Sequence, residues 1–137
     1  MSIKKIKLIK RLIYKDSKGQ IVKYVSIKDN FFKSFGEIYF NQINKNKKKG
    51  WNYHKKNSCI FFCIQGRVKF HFIDKNSKEK KITLTSNATK VLIVPPKIWI
   101  SMESKSNISV LANFINFPHC DKEIKKSHIV NNYFIKN

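Results

Sequence analysis

Lys49-Gly50-Trp51-Asn52-Tyr53-His54-Lys55-Lys56, then Gly66, then Pro95-Pro96-Lys97-Ile98-Trp99 are the segments whose reading decides how this chain folds. In the first, Asn52 and His54 lie two residues apart, on one face of an extended strand, and Trp51 points the other way. Immediately after it, Cys59 to Ile64 is apolar on both faces, as a central strand would be. Gln65-Gly66 is a tight turn, with Gly66 as its positive-φ residue. The strand that follows alternates Val68, Phe70 and Phe72 with Lys69, His71 and Ile73, so it has one buried face.

Outward from this centre the pattern repeats. Apolar runs of four to eight residues, rich in Ile, Val, Phe and Tyr, are broken by Lys, Asn, Ser and Gly clusters, with no sustained helical period. Strands are expected near Ile6–Leu12, Ile21–Ile27, Phe35–Ile43, Gly50–His54, Cys59–Gln65, Arg67–Asp74, Lys80–Leu84, Lys90–Val94, Trp99–Ser104 and Ser109–Phe114. Asp16-Ser17-Lys18-Gly19 is a turn and Lys75-Asn76-Ser77-Lys78 a hairpin loop. The tail from Asp121 to Lys126 is expected to form a short helix. This is an all-β sandwich or barrel occupying residues 1–137 as a single domain.

The chain carries a net charge of +21, which ordinarily points to nucleic acid or an anionic surface. Of its 29 basic residues, however, only Arg11 and Arg67 are arginine, and the lysines are scattered apart from Lys45, Lys47, Lys48 and Lys49. A nucleic-acid reader recruits arginine for bidentate contacts. Abundant Lys, Ile and Asn together are what an AT-rich genome favours, so nucleic acid is not the expected partner. Cys59 and Cys63 read as small core hydrophobes, and no zinc spacing or disulfide framework is visible. No apolar run approaches the ~18 residues of a membrane span and no signal-like segment opens the chain, so a cytoplasmic location is expected.

Five segments in order carry a resemblance. They are Lys15-Asp16-Ser17-Lys18-Gly19, Phe35-Gly36-Glu37-Ile38-Tyr39, Lys49-Gly50-Trp51-Asn52-Tyr53-His54-Lys55, Val94-Pro95-Pro96-Lys97-Ile98-Trp99-Ile100, and Leu111-Ala112-Asn113-Phe114 with Phe117-Pro118 and Asp121-Lys122-Glu123. Together they resemble the cupin-fold deoxysugar nucleotide enzymes, namely the dTDP-4-dehydrorhamnose 3,5-epimerases and the dTDP-4-keto-6-deoxyglucose 3,4-ketoisomerases. The resemblance implies a cupin-type jelly-roll β-barrel, a nucleotide-linked sugar as ligand, and isomerase or epimerase chemistry in surface polysaccharide biosynthesis. It implies no cofactor. A homodimer is expected because Cys59 to Ile64, apolar on both faces, needs another sheet or a second subunit against one of them. Asn52 stands where those families carry the first His of a His-x-His pair, Ile100 where metal-binding cupins have a late His, and Ala112 where the epimerases have a proton-donating Tyr. With one His left of a four-ligand set, no metal is expected.

Moving a proton beside a ketone needs a base within about 3 Å of the carbon and donors for the enediolate oxygen. His54 is the expected base, Asn52 an amide donor, and Tyr39 a donor or proton carrier. Lys49, Lys56 and Arg67 are the candidates for a diphosphate, Trp99 for stacking, and His71 for a lumenal contact. His119 and His128 read as surface residues. Two other readings stay open: a sugar-nucleotide-binding barrel that has lost catalysis, and a lysine-driven nucleic-acid binder.

Overall fold

The computed structural model describes residues 2–127. His128 therefore lies outside the described residues. Twelve strands form: β1 (Lys7–Lys10), β2 (Ile13–Asp16), β3 (Gly19–Val22), β4 (Glu37–Asn44), β5 (Lys48–His54), β6 (Cys59–Gln65), β7 (Arg67–Ile73), β8 (Glu79–Thr85), β9 (Lys90–Val94), β10 (Trp99–Ser104), β11 (Ile108–Ile115) and β12 (Ile124–Lys126). Ile3–Lys5 and Asp121–Glu123 are single 3-10 turns. No helix of the described residues is long and apolar enough to cross a membrane.

The strands build two five-stranded antiparallel sheets, ordered β1-β9-β6-β11-β4 and β12-β5-β10-β7-β8, plus the ribbon β2-β3. The alternation read in the sequence is what packs them. Cys59, Phe61, Leu92, Val94, Leu111 and Ile115 of the first sheet meet Val68, Phe70, Phe72, Leu84, Ile100 and Met102 of the second in one apolar core. The sheets share no continuous backbone ladder, so the expected barrel is open rather than closed. Between β5 and β4 the link is a side-chain bond, Lys49 Nζ donating to Asn41 Oδ1 in an exposed position.

Two expected elements differ. The strand over Ile21–Ile27 ends at Val22. Beyond it the chain leaves the ladder so that Tyr24, Phe31 and Phe32 can cover Ile60, Val91 and Phe114 on the outer face of the first sheet, with the Tyr24 hydroxyl donating to the Ile60 carbonyl. The expected tail helix is instead the turn Asp121–Glu123 followed by β12, whose backbone pairs Ile124 with His54 and Lys126 with Asn52. Pairing there satisfies the edge of β5, which a helix would leave unpaired.

The entry to β4 is fixed by close backbone approach. Gly36 N–H donates to the Ile115 carbonyl at 2.9 Å, and a Cβ on Gly36 would lie 2.2 Å from the carbonyl carbon of Phe117. The obstacle is backbone and cannot swing aside. Gly36→Ala is expected to destabilise the fold by about 2 kcal/mol or more, read as a lowered denaturation midpoint.

Candidate functional site

Polar residues collect where β4, the edge of the first sheet, meets the β12–β5 side of the second. Tyr39 and Asn41 come from β4, Asn113 from β11, and Lys49, Asn52 and His54 from β5. The register explains the last three. Against β10, Asn52 pairs with Ile100 and Gly50 with Ser101, so the ladder slips by one residue and Trp51 is the extra residue of a bulge. Lys49 and Asn52 consequently oppose Met102 and Ile100, both core residues, and face inward together. Gly50 makes the slip possible: its φ is 110°, and a Cβ there would meet the Ile100 carbonyl oxygen at 2.5 Å. A cleft of about 450 Å³ opens beside this bulge, lined by Lys49, Gly50, Trp51, Asn52, Lys126 and Ser127.

His54 ends β5 at the same edge and is buried. Its Nδ1 lies 3.0 Å from Oε1 of Glu123, itself buried. Glu123 is held in turn by three donors from the β5–β6 connection: Lys56 N–H at 2.8 Å and Asn57 N–H at 3.1 Å on Oε2, and Asn57 Nδ2 at 3.3 Å on Oε1. The Pro95-Pro96 turn reaches the same residue, because Lys97 N–H donates to the His54 carbonyl at 2.7 Å. The two motifs that decided the fold thus meet at one histidine.

Burial opposes a charge on His54, but the Cys59 thiol beside the ring and the Glu123 carboxylate outweigh it and push the imidazole up to about 9. Burial also works to raise Glu123. The N–H donors of Lys56 and Asn57, together with His54, overcome it and hold the carboxyl below its usual range. At neutral pH the pair is therefore imidazolium and carboxylate. Tyr39 is pushed up to about 12, chiefly by burial with Cys59 adding to it, while the Asn113 amide partly opposes the rise. It stays a neutral phenol. Asn113 Nδ2 donates to its oxygen at 2.8 Å. The other end of that amide, Oδ1, is buried without a hydrogen-bond partner among the described residues, a situation that costs about 1–3 kcal/mol.

Of the residues singled out in the sequence, His54, Asn52, Tyr39 and Lys49 come to this edge, and Lys56 stands at its end beside Glu123. Arg67, His71 and Trp99 do not. Arg67 begins β7, and Ile73 at the other end of that strand is the residue opposite Trp99. Six residues of strand, roughly 20 Å, separate Arg67 from the His54 end. His71 is on the outer face of the second sheet, against Trp51 at 4.9 Å between ring centroids and 2.6 Å from Glu79 Oε1. Trp99 is on that outer face too, buried with Trp51, Ile73 and Tyr53. Glu123, Asn57, Asn41, Asn113 and the role of Cys59 beside His54 were missed. A signal for Glu123 was present: the chain has only 8 acidic residues, so each is informative. Among the described residues no group of three or more His, Cys, Asp or Glu side chains is placed to hold a metal ion.

Residues 2–129 match the family model described as FdtA: WxcM-like, C-terminal. No curated protein sequence shows significant similarity. Among solved structures, a dTDP sugar isomerase from Desulfovibrio desulfuricans superposes with a TM-score of 0.86 at 19% identity, over 97% of this chain and 90% of that one. QdtA, a sugar 3,4-ketoisomerase from Thermoanaerobacterium thermosaccharolyticum in complex with TDP, gives 0.82 at 21% identity over 93% and 91%. The 3,5-epimerase RmlC from Legionella pneumophila in complex with dTDP-4-keto-L-rhamnose gives 0.85 at 14% identity over 97% and 78%. The fold is that of these cupin sugar isomerases and epimerases.

The His54–Glu123 pair sets a pH window. A raised histidine stabilises the fold fully below its unfolded value of 6.5 and loses that contribution as pH rises through about 9. A depressed carboxylate contributes above its unfolded value of 4.5 and loses it as pH falls. The pair therefore stabilises most between 4.5 and 6.5. Proton NMR of the imidazole should show His54 protonated at pH 7 and titrating near 9, with Glu123→Gln bringing that midpoint down. A wild-type midpoint at the ordinary histidine value would contradict the pair.

Proposed function

The chain belongs to the FdtA family of WxcM-like C-terminal domains, and from that premise we propose that it transfers protons beside the ketone of a nucleotide-linked 4-keto-6-deoxy sugar, as an isomerase or epimerase of deoxysugar biosynthesis. The observation that carries this reading is the buried His54–Glu123 pair, two residues along β5 from the Asn52 end of the cleft described above, the slot taken here to receive the sugar. The TDP and keto-sugar held by the structural neighbours support a nucleotide sugar as the ligand class.

A single histidine suits a one-base reaction. Neutral His54 takes a proton from the carbon next to the ketone and becomes the imidazolium that Glu123 stabilises. The same ring then returns the proton to the neighbouring carbon on the same face of the sugar, while the C3 hydroxyl proton passes to the C4 oxygen, which converts a 4-ketone to a 3-ketone through an enediol. Tyr39, kept neutral by its surroundings, and the Asn52 amide are donors to the enediolate oxygen. Lys49 and Lys56 supply positive charge for the diphosphate. Arg67, His71 and Trp99 take no part in this reading.

We also infer that the protein works as a homodimer. Ile38 and Phe40 stand exposed on β4, and Leu12, Tyr14 and Ile21 stand exposed on and beside the β2–β3 ribbon, apolar side chains suited to burial against a second copy. Sedimentation that returns only the monomer mass would remove this part.

With a pKa near 9, roughly one His54 in a hundred is neutral at pH 7, so turnover should climb with pH toward 9. Incubation of dTDP-4-keto-6-deoxyglucose with the protein in D2O is expected to wash out the C3 proton and yield a 3-keto product. His54→Ala should cut that rate by about 10²–10⁴-fold. Nucleotide line broadening without any exchange would mark a sugar-nucleotide-binding barrel without catalysis.

A further inference from the structure

Asn113 occupies the middle of β11 on its inner face, between Leu111 and Ile115 of the apolar core. Across the ladder it faces Tyr39 on one side and Phe61 on the other. It is 2% exposed. A carboxamide here is half satisfied: the amide nitrogen donates to Tyr39, and the carbonyl oxygen is buried with no partner among the described residues. An aliphatic side chain of similar volume would fill the position without orphaning an acceptor. Packing gives no reason for an amide at this site. Its effect on Tyr39 does.

A phenol has one proton to give and an oxygen that accepts. When the Asn113 amide occupies the oxygen, the proton is left for another acceptor. Tyr39 sits on the edge strand of the first sheet, next to Asn41, and Asn41 is bonded to Lys49, which lines the cleft. We propose that Asn113 is a positioning residue that sets the polarity of Tyr39, so that the phenol presents its proton to an oxygen of the ligand in the slot. The opposite polarity, with the phenol donating to the carboxamide, would use up that proton and leave an unpaired NH2 in the core. The functional meaning of the inference rests on the proton-transfer reading above, but the polarity of the bond can be measured without it.

Asn113→Asp and Asn113→Leu in the full chain supply the test. The carboxylate only accepts, so it reverses the bond and takes the Tyr39 proton. The leucine removes the bond and ends the orphaned acceptor. Asn113→Leu should melt no lower than wild type. Both variants should lose about tenfold or more in kcat for C3 proton exchange on dTDP-4-keto-6-deoxyglucose while KM changes little, since the lost donor acts on charge that develops during reaction. Tyr39→Phe should lose as much, and Tyr39→Phe with Asn113→Leu no more than Tyr39→Phe alone. Full kcat in Asn113→Leu, or losses that multiply in the double variant, would overturn the role. The ring Cζ resonance of Tyr39, assigned by its disappearance in Tyr39→Phe, reads polarity independently of turnover. It should move in opposite senses in the Asp and Leu variants. If it moves in neither, the inference fails whatever the exchange assay shows. If it moves as expected in a protein that exchanges no proton, the reaction assignment fails and the polarity stands.

Discussion

One buried carboxylate ties this structure together. Glu123 receives the ring of His54, the amides of Lys56 and Asn57 and the side chain of Asn57, and so it binds the end of β5, the whole β5–β6 connection and the 3-10 turn that precedes β12. A buried ion pair of this kind adds little net stability over a well-packed apolar one, because desolvation offsets most of the attraction. Removing one partner is a different matter, since the other is left charged and buried. Glu123 therefore acts less as a source of stability than as a constraint: the histidine adopts one orientation because the alternatives would strand a charge.

The same logic runs through the sparse acids of this basic chain. There are 8 of them against a net charge of +21, and each has a structural partner. Asp16 accepts from Lys18 in its turn, and Asp29 pairs with Arg11 beneath the loop that covers the first sheet. Glu37 accepts the His119 amide, and Asp74 takes the amides of Ile3, Asn76 and Lys78, closing a hairpin and anchoring the beginning of the chain. Glu79 meets His71, Glu103 meets Lys105, and Asp121 meets His119. In such a chain lysines can accumulate on the surface at small cost, because exposed charges are screened. An acid that serves as a buried anchor cannot drift in the same way. Nucleic-acid affinity that collapses with salt would report the lysines and nothing about the site.

How much of this was legible beforehand divides along physical lines. Strands with alternating or wholly apolar faces, such as Val68 to Phe72 and Cys59 to Ile64, announce themselves, since periodicity is a local property of the chain. Asn52 and His54 are two apart on one strand and could be placed together by counting. Partners from distant segments could not. Glu123 is 69 residues from His54, and its segment looked helical because nothing local says that the edge of β5 needs a strand. Ile21 to Ile27 was expected as a strand for the converse reason: its apolar content suits a ladder, yet tertiary packing spends Tyr24 and Val25 on covering a sheet. His71 and Trp99 were assigned to the pocket by their chemistry, and the register with β10 turns both to the outer face. Asn113 reads as an unremarkable polar residue until its burial is known.

The carboxylate beside His54 also constrains what kind of catalyst the slot can be. A general base works best with a pKa near the operating pH, and Glu123 moves the histidine above it. At neutral pH the carboxylate thus makes neutral imidazole scarce, which is a poor arrangement for a step in which proton removal alone counts. It is a good arrangement for a step in which a proton must be given back. An imidazolium stabilised by a buried carboxylate persists through the lifetime of the enediol and remains the acid for the second transfer. Nδ1 is committed to Glu123, so exchange with a substrate runs through the other ring nitrogen, Nε2. On the proposed reading, one such histidine beside a neutral tyrosine suits proton transfer on one face of the sugar, with the same ring acting first as base and then as acid.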